Sequence, residues 1–275
     1  MSVSGQMQRF AREHGKQVVV GSVPWRYYRL GTGPTVLWLT GGLRRAAVAS
    51  AFLERLATRH AVIAPDYPPV LTIAEFMAAF DEVLRTESTD GVMLVGQSYG
   101  GMLAQAYLAH RPHAVQRLVL SSSGPADFAR PWVVAEELFI LLARVLPEAM
   151  LKNLVSVGLA RLAHQLPQPT RTEMTEVIRT VVHDELRRSD VVSHFSVAAD
   201  VIRRRIVSPA AFEGWRGDVV VLSAKNDPTQ SPRDITRYER LFGRRPEVMS
   251  LGELGHVAAL VDPDRYADEL EHALR

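Results

Sequence analysis

The sequence feature that most constrains the fold is a strand, a glycine-flanked serine and a helix in immediate succession. The apolar run Val92–Val95 ends at Gly96, and Ser98 lies between Gly96 and Gly100. The following residues, to about His110, have the pattern of a helix. A serine at such a sharp turn takes a strained backbone conformation, and side chains in place of the two glycines would collide with the neighbouring strand and helix. The segment therefore predicts a serine hydroxyl presented at the end of a buried strand.

Short apolar runs alternate with amphipathic helical patterns over much of the chain. This alternation predicts a mostly parallel sheet with helices on both faces. One of the helices is expected to begin after Thr72 as its N-cap. Eight strands are expected, at Val18–Val23, Trp25–Leu30, Thr35–Leu39, Ala61–Ala64, Val92–Val95, Arg117–Leu120, Asp218–Leu222 and Glu247–Leu251.

Residues 125–211 break this alternation, because they contain helical patterns and no strand pattern. The strand pattern resumes at Asp218, so the helical block is inserted into the α/β domain. We therefore expect a core domain made of residues 1–124 and 212–275, and an inserted helical cap made of residues 125–211.

The composition excludes several other classes of protein. Of the 275 residues 47% are hydrophobic and 23% charged, which predicts a large packed core. There is no cysteine, so disulfides, thiolate metal sites and thiol nucleophiles are excluded. The net charge is +2, and the densest basic run, residues 203–205, has no aromatic platform beside it, which argues against nucleic acid as a partner. A polar N-terminal segment and the lack of a long apolar one argue against a secretory signal and a membrane span, so we expect a cytoplasmic protein.

With Gly96-Gln97-Ser98-Tyr99-Gly100 placed between a strand and a helix, the sequence resembles the α/β-hydrolase superfamily. The resemblance covers nearly the whole chain, including the inserted block. Residues 61–68 and 100–105 are similar to the maspardin-like branch of that superfamily. The superfamily resemblance implies an α/β-hydrolase fold with Ser98 as nucleophile.

A serine hydroxyl needs an adjacent base before it can attack. The chain has nine histidines, of which His256 follows the last strand and precedes the C-terminal helical pattern. This position matches the catalytic histidine of the superfamily, which comes after the serine and the acid in chain order. The histidines within the inserted block, among them His194, are not at that position.

A third group must accept a hydrogen bond from the other imidazole nitrogen and so fix the tautomer of the base. Asp227 follows the strand Asp218–Leu222, where the superfamily carries its acid, and Pro228 would hold it near the strand end. Asp127, after the preceding strand, is the alternative. We favour Asp227, although an aspartate there could also serve only to close an Asx turn.

The tetrahedral intermediate of acyl transfer needs two backbone donors aimed at its oxygen. By resemblance, one is the N–H of Tyr99, the residue after the nucleophile, and the other is the N–H of Gly42 in the loop Thr40-Gly41-Gly42-Leu43. Many members have a histidine where this chain has Thr40. That difference removes a side chain and leaves the backbone donor in place.

The inserted block resembles the cap that roofs the catalytic serine in this superfamily. We expect an apolar pocket beneath it that binds an acyl or ring group. The candidate lining residues are Leu43, Phe128, Trp132, Phe139 and Phe195.

The sequence therefore predicts hydrolysis of a carboxylic ester, thioester or lactone through an acyl-Ser98 intermediate, with a small molecule as substrate. No metal or organic cofactor is implied, and a homodimer is left open. The fold also hosts C–C bond hydrolysis, acyl transfer, and lyase or cyclase steps, so these remain alternatives. A non-catalytic role is a further alternative, because maspardin-like proteins are discussed mostly as interaction partners.

Overall fold

A computed structural model describes residues 2–275 and shows one eight-stranded sheet in the order β1-β2-β4-β3-β5-β6-β7-β8. β2 pairs antiparallel with β1 and β4, and all other neighbours are parallel. The mostly parallel eight-stranded α/β-hydrolase fold predicted from the sequence is confirmed. The strands are β1 (Gly15–Val20), β2 (Val23–Leu30), β3 (Thr35–Leu39), β4 (Ala61–Pro65), β5 (Val92–Gln97), β6 (Val115–Ser121), β7 (Asp218–Ala224) and β8 (Glu247–Gly252).

Helices cover both faces of the sheet. They are α1 (Val3–His14), α2 (Ser50–Leu56), α3 (Ile73–Thr86), α4 (Tyr99–His110), α5 (Trp132–Val145), α6 (Glu148–Ala160), α7 (Thr170–Asp184), α8 (Arg188–Arg204), α9 (Pro209–Phe212), α10 (Pro232–Phe242), α11 (Ala258–Val261) and α12 (Pro263–Ala273). Three short 3₁₀ helices span Ala46–Ala49, Pro112–Ala114 and Arg161–Ala163. No helix within residues 2–275 is long and apolar enough to cross a bilayer.

The core consists of two apolar layers, one on each face of the sheet. Successive residues of a central strand point to opposite layers, as Leu94 and Val95 of β5 do. Both residues are fully buried, which explains why the strands read as continuous apolar runs rather than alternating ones. The sheet therefore holds the carboxyl ends of β3, β5, β7 and β8 in fixed register, and the loops that follow them carry the candidate site residues.

Two helix boundaries differ from the sequence-based expectations. The polar N-terminal segment forms α1, in which only Met7 and Phe10 are buried, so its apolar stripe is too narrow to recognise in the sequence. The C-terminal helical pattern after His256 is divided between α11 and α12, because Asp262 caps a new helix by accepting a hydrogen bond from the Arg265 N–H at 3.0 Å. The N-cap at Thr72 is present as predicted, and Glu75 completes a capping box.

Between β6 and β7 the chain forms α5 to α9 and no strand. We call residues 125–211 the helical insert. Its behaviour as a separate domain stays a prediction, as does the location of the protein in the cytoplasm.

Two arginines of the loop after β3 form hydrogen bonds with the helical insert. The fully buried Arg44 donates from Nη2 to the Ser193 Oγ at 2.8 Å and to the Pro68 carbonyl at 2.9 Å. Arg45 donates from Nη2 to Asp190 Oδ1 at 3.1 Å and to the Glu185 carbonyl at 3.0 Å. These hydrogen bonds fix the beginning of α8 to the loop after β3, which contains Gly41 and Gly42.

Candidate active site

Ser98 lies at the turn between β5 and α4, with φ 54° and ψ −117°. Its N–H donates to the Ser121 carbonyl of β6 at 2.9 Å, which holds the turn against the neighbouring strand. A Cβ at Gly96 would lie 2.5 Å from the Gly100 carbonyl oxygen, and a Cβ at Gly100 would overlap the Leu39 carbonyl of β3. Both glycines are thus required by close backbone approach, for the reason that the sequence suggested.

His256, Ser98 and Asp227 come together from three separate loops. The His256 Nε2 lies 2.9 Å from the Ser98 Oγ. The His256 Nδ1 lies 3.0 and 3.1 Å from the two carboxylate oxygens of Asp227. Because a carboxylate accepts the Nδ1–H, the Nε2 is left with its lone pair directed at the serine hydroxyl.

Thr229, which the sequence analysis missed, holds Asp227 in place. Its backbone N–H and hydroxyl donate to Asp227 Oδ1 at 2.9 and 2.7 Å, and its hydroxyl oxygen lies 3.0 Å from His256 Nδ1. Burial alone would raise the pKa of Asp227, but the hydrogen bonds from His256 and Thr229 outweigh it and keep that pKa below its ordinary value. The backbone bond is an Asx turn, so the same carboxylate closes its own loop and contacts the imidazole.

The alternative acid, Asp127, is engaged elsewhere. Its carboxylate accepts a hydrogen bond from the Arg237 Nη2 at 2.6 Å. The structure therefore brings Asp227, rather than Asp127, to His256.

The two residues expected to form the oxyanion hole border the same cavity as Ser98. Tyr99 is the first residue of α4, so its N–H has no acceptor within the helix. Within residues 2–275 the Gly42 N–H also has no hydrogen-bond acceptor. Gln97 also borders the cavity and donates from its side-chain amide to the His256 carbonyl at 3.2 Å. Stabilisation of an oxyanion by Gly42 and Tyr99 stays a prediction.

A cavity of about 450 Å³ opens above Ser98 between the sheet and the helical insert. Of the predicted lining residues, Leu43 and Phe128 border it. The main apolar lining residues besides these are Val48, Met102, Leu159, Leu162, Ile178, Val257 and Leu260.

The other three predicted lining residues lie outside the cavity, which corrects that part of the prediction. Trp132 is 58% exposed on α5. Phe139 stacks on Phe195 with ring centroids 4.9 Å apart, so these two rings join α5 to α8 at the surface. All three are aromatic residues within the insert, but the face that a helix turns to the cavity depends on packing that the sequence does not reveal.

Two polar side chains of the insert border the cavity instead, and the sequence analysis missed both as functional candidates. They are Glu136 on α5 and His194 on α8. Only the position of His194 inside the insert was recognised, and an isolated histidine or glutamate on a helix has no motif that marks it.

The comparison with known families decides where the chain belongs. Residues 32–269 match the alpha/beta hydrolase family. The chain belongs to that family. This alpha/beta hydrolase is similar to the 2-hydroxy-6-oxo-2,4-heptadienoate hydrolase of Pseudomonas putida, with 28% identity over 129 residues. That match covers 42% of this chain and 47% of the relative, so it spans about half of the relative's length.

Solved structures resemble this alpha/beta hydrolase along its whole length. Cfl2 from Burkholderia cenocepacia matches with a TM-score of 0.73 and 18% identity, covering 95% of each chain. A meta-cleavage product hydrolase from Pseudomonas fluorescens matches with a TM-score of 0.71 and 17% identity, covering 96% of this chain and 98% of the other. At these identities the likeness shows the fold alone, while the family and the name of the Pseudomonas putida relative support a hydrolase.

Proposed function

We propose that the chain is a serine hydrolase that cleaves a carboxylic ester, thioester or lactone through an acyl-Ser98 intermediate. The observation that carries the proposal is the continuous set of contacts from Ser98 Oγ to His256 Nε2, at 2.9 Å, and from His256 Nδ1 to Asp227, at 3.0 Å. Each distance is within the range at which a base takes a proton directly.

In the first half-reaction His256 accepts the hydroxyl proton as Ser98 attacks the substrate carbonyl. The imidazolium that forms is stabilised by the Asp227 carboxylate, which stays ionised because its pKa is held low. The negative oxygen of the tetrahedral intermediate is placed toward the N–H groups of Gly42 and Tyr99. His256 then gives its proton to the leaving alcohol or thiol, and the acyl group remains on Ser98.

In the second half-reaction water attacks the acyl group from the side that the leaving group has left. His256 takes a proton from this water and returns it to the Ser98 oxygen when the acid product departs. The chain thus ends in its starting protonation state, and the net reaction consumes one water.

The apolar part of the substrate is assigned to the side of the cavity formed by α6, α7 and the loop before α11. Leu43, Leu159, Val257 and Leu260 pack around the apolar cluster that contains Ile178. All five side chains also border the cavity. Such a wall takes an acyl chain or ring by the hydrophobic effect and offers it no hydrogen bond.

The test is labelling of Ser98 by a fluorophosphonate, combined with hydrolysis of p-nitrophenyl esters of increasing acyl length. We expect the parent protein to be labelled and to release p-nitrophenol, and Ser98→Ala to do neither. Ser189→Ala, which changes an exposed serine of α8, is the matched control and should behave as the parent does.

A second candidate is hydrolysis of a C–C bond by the same residues. The similarity to the Pseudomonas putida hydrolase favours it, because that relative is named for 2-hydroxy-6-oxo-2,4-heptadienoate, which has no ester bond to cleave. Labelled Ser98 with no ester hydrolysis at any acyl length, together with cleavage of a 2-hydroxy-6-oxo-dienoate, would replace the esterase proposal with this one. If no serine-directed reagent labels the folded protein, the non-catalytic interaction role becomes the better explanation.

A further inference from the structure

Glu136 is a carboxyl group without a partner in the cavity over Ser98. It borders the cavity from α5, and its Oε2 is buried with no hydrogen-bond partner in the described part of the chain. Burial raises the pKa of Glu136 to about 7, and no neighbouring charge contributes appreciably to this shift. With this pKa about half of the Glu136 side chains are protonated at neutral pH, and the protonated carboxyl can donate a hydrogen bond from O–H.

His194 borders the same cavity from α8 and lies over the candidate oxyanion hole. Its ring stacks on the Tyr99 ring, with centroids 4.0 Å apart and planes 24° apart. Its Cε1 would lie 3.4 Å from a Cβ at Gly42. Burial and the charge of Arg44 lower the pKa of His194 to about 3, so the imidazole is neutral at any physiological pH. Neither ring nitrogen has a hydrogen-bond partner within residues 2–275, which leaves one donor and one acceptor free.

Both side chains act on Tyr99, His194 through contact and Glu136 through its charge. His194 stacks on the Tyr99 ring, and the charge of Glu136 when ionised contributes to the raised pKa of the Tyr99 hydroxyl, after burial as the main cause. The cavity therefore has two polar side chains, Glu136 and His194, in addition to its leucine-rich wall.

We propose that Glu136 and His194 form a subsite for an uncharged oxygen group of the substrate, such as a ketone or hydroxyl, close to the scissile carbonyl. This inference rests on the proposed hydrolase function and names the substrate class for it. The substrate is accordingly an oxo- or hydroxyacyl compound rather than a plain alkyl ester. Glu136 donates to the oxygen, and His194 offers a second hydrogen bond from the adjacent helix α8.

The surrounding charges disfavour an ionic group at this position. A carboxylate would be repelled by Glu136 whenever that side chain is ionised. Arg237, which also borders the cavity, is already paired with Asp127 at 2.6 Å and with Asp234 at 3.3 Å. An ammonium group would be repelled by the buried guanidinium of Arg44, whose charge already acts on His194.

The experiment measures binding to the Ser98→Ala variant by calorimetry, so that no turnover is needed. The ligands are four anilides of equal chain length, made from pentanoic, levulinic, succinic and aminobutyric acid, which end in an ethyl, a ketone, a carboxylate and an ammonium group. We expect the levulinic anilide to bind about tenfold more tightly than the pentanoic one, as one or two added hydrogen bonds allow.

Variants of Glu136 and His194, made in addition to Ser98→Ala, then show which side chain causes the preference for the ketone. Glu136→Leu should reduce the ketone preference to about unity, whereas Glu136→Gln, which keeps a donor, should retain most of it. His194→Phe keeps the stacking on Tyr99 and should lower the preference severalfold. Glu137→Gln is the matched control on the same helix and should change nothing, because Glu137 is exposed and pairs with Arg203 at 2.7 Å.

Equal binding of the ketone and ethyl anilides would overturn the proposal, and so would a ketone preference that survives in both Glu136→Leu and His194→Phe. Tightest binding of the ammonium ligand, lost in Glu136→Gln, would show a cation site instead. Failure of fluorophosphonate labelling would refute the hydrolase proposal while these binding results still stand, so the two failures are distinguishable.

Discussion

Asp227 accepts hydrogen bonds from His256 and from Thr229 in its own loop. An asparagine at this position can keep the bond within the loop while losing the effect on His256. Asp227→Asn retains an acceptor for the Thr229 N–H but can no longer hold the imidazole in the tautomer that leaves Nε2 free. We expect kcat for an ester to fall about 10⁴-fold with the melting temperature nearly unchanged. Steady-state kinetics and thermal unfolding provide the two readouts.

Asp127→Asn is the matched control, since Asp127 pairs with Arg237 at the edge of the cavity. It should leave kcat within about twofold of the parent, as expected for removal of a partly exposed ion pair. A larger loss in Asp127→Asn than in Asp227→Asn would mean that the acid has been assigned wrongly.

The raised pKa of Glu136 should make the stability of the folded protein depend on pH. Its pKa is about 7 in the folded protein against an ordinary value of 4.5. Between these values the folded state holds a proton that the unfolded state has released, so stability falls as the pH rises through this window. Glu136→Gln removes that loss and should raise the melting temperature relative to the parent by about 2–4 °C more at about pH 8 than at about pH 5, because partial exposure moderates the effect.

Glu137→Gln, on the exposed side of the same helix, should show no such difference between the two pH values. A melting-temperature difference for Glu136→Gln that is the same at both would show that the carboxyl titrates normally.

At the scale of single residues, the sequence identified those candidates whose positions are set by the backbone. Ser98 could be found because Gly96 and Gly100 are needed where backbones touch, and His256 because it follows the last strand. Glu136 and His194 could not, because their place at the cavity depends on which faces of α5 and α8 meet it. Thr229 could have been suspected from its place two residues after Asp227, where an Asx turn is common.

At the scale of elements, Gly100 sets how closely α4 approaches β3. A methyl group at this position would overlap the Leu39 carbonyl and lie 2.6 Å from the Thr40 carbonyl oxygen. Gly100→Ala should therefore destabilise the fold by about 3 kcal/mol and reduce activity, because the loop of Gly41 and Gly42 begins at the same strand end. Urea unfolding and ester hydrolysis measure both effects.

Gly158→Ala is the opposite case on α6. Gly158 is exposed, and nothing lies within 4 Å of an added Cβ. The substitution should stabilise the protein by about 0.5–1 kcal/mol, since alanine favours a helix over glycine. If both alanine variants are equally destabilised, close approach is not what requires glycine at position 100.

The strands were easier to predict than the helix boundaries for a physical reason. Strands buried on both faces leave long apolar runs, whereas α1 buries only two of its twelve residues. The break before α12 was missed because an apolar pattern continues through it, although Pro263 and the capping Asp262 mark a new helix start.

At the scale of the whole molecule, Asp190 supplies a negative charge beside the two arginines that join the helical insert to the core. It accepts a hydrogen bond from Arg45 at 3.1 Å and lies 3.7 Å from the Arg44 Nε, while being buried itself. Asp190→Asn leaves the buried Arg44 guanidinium without a carboxylate counter-charge and should destabilise the protein by about 3 kcal/mol. Because Arg44 and Arg45 lie two and three residues after Gly42 in the same loop, kcat should fall as well.

Asp184→Asn, at the exposed end of α7, is the control and should be neutral in both measurements. Unchanged kcat in Asp190→Asn, despite lower stability, would show that the loop after β3 keeps its shape without the insert.

The insertion itself could be predicted from the missing strand pattern, but its attachment could not. The hydrogen bonds of Arg44 and Arg45 to α8 and to Glu185 before it join residues separated by 140 or more positions in the chain. No local pattern predicts a contact at that separation.

This attachment has a consequence for how such proteins can be recombined. A helical insert transplanted from a related chain must supply partners for two arginines of the recipient's core, as Glu185, Asp190 and Ser193 do here. The workable unit of exchange is therefore discontinuous: residues 125–211 must be exchanged together with positions 44 and 45, or the graft will disturb the loop of Gly41 and Gly42 beside Ser98.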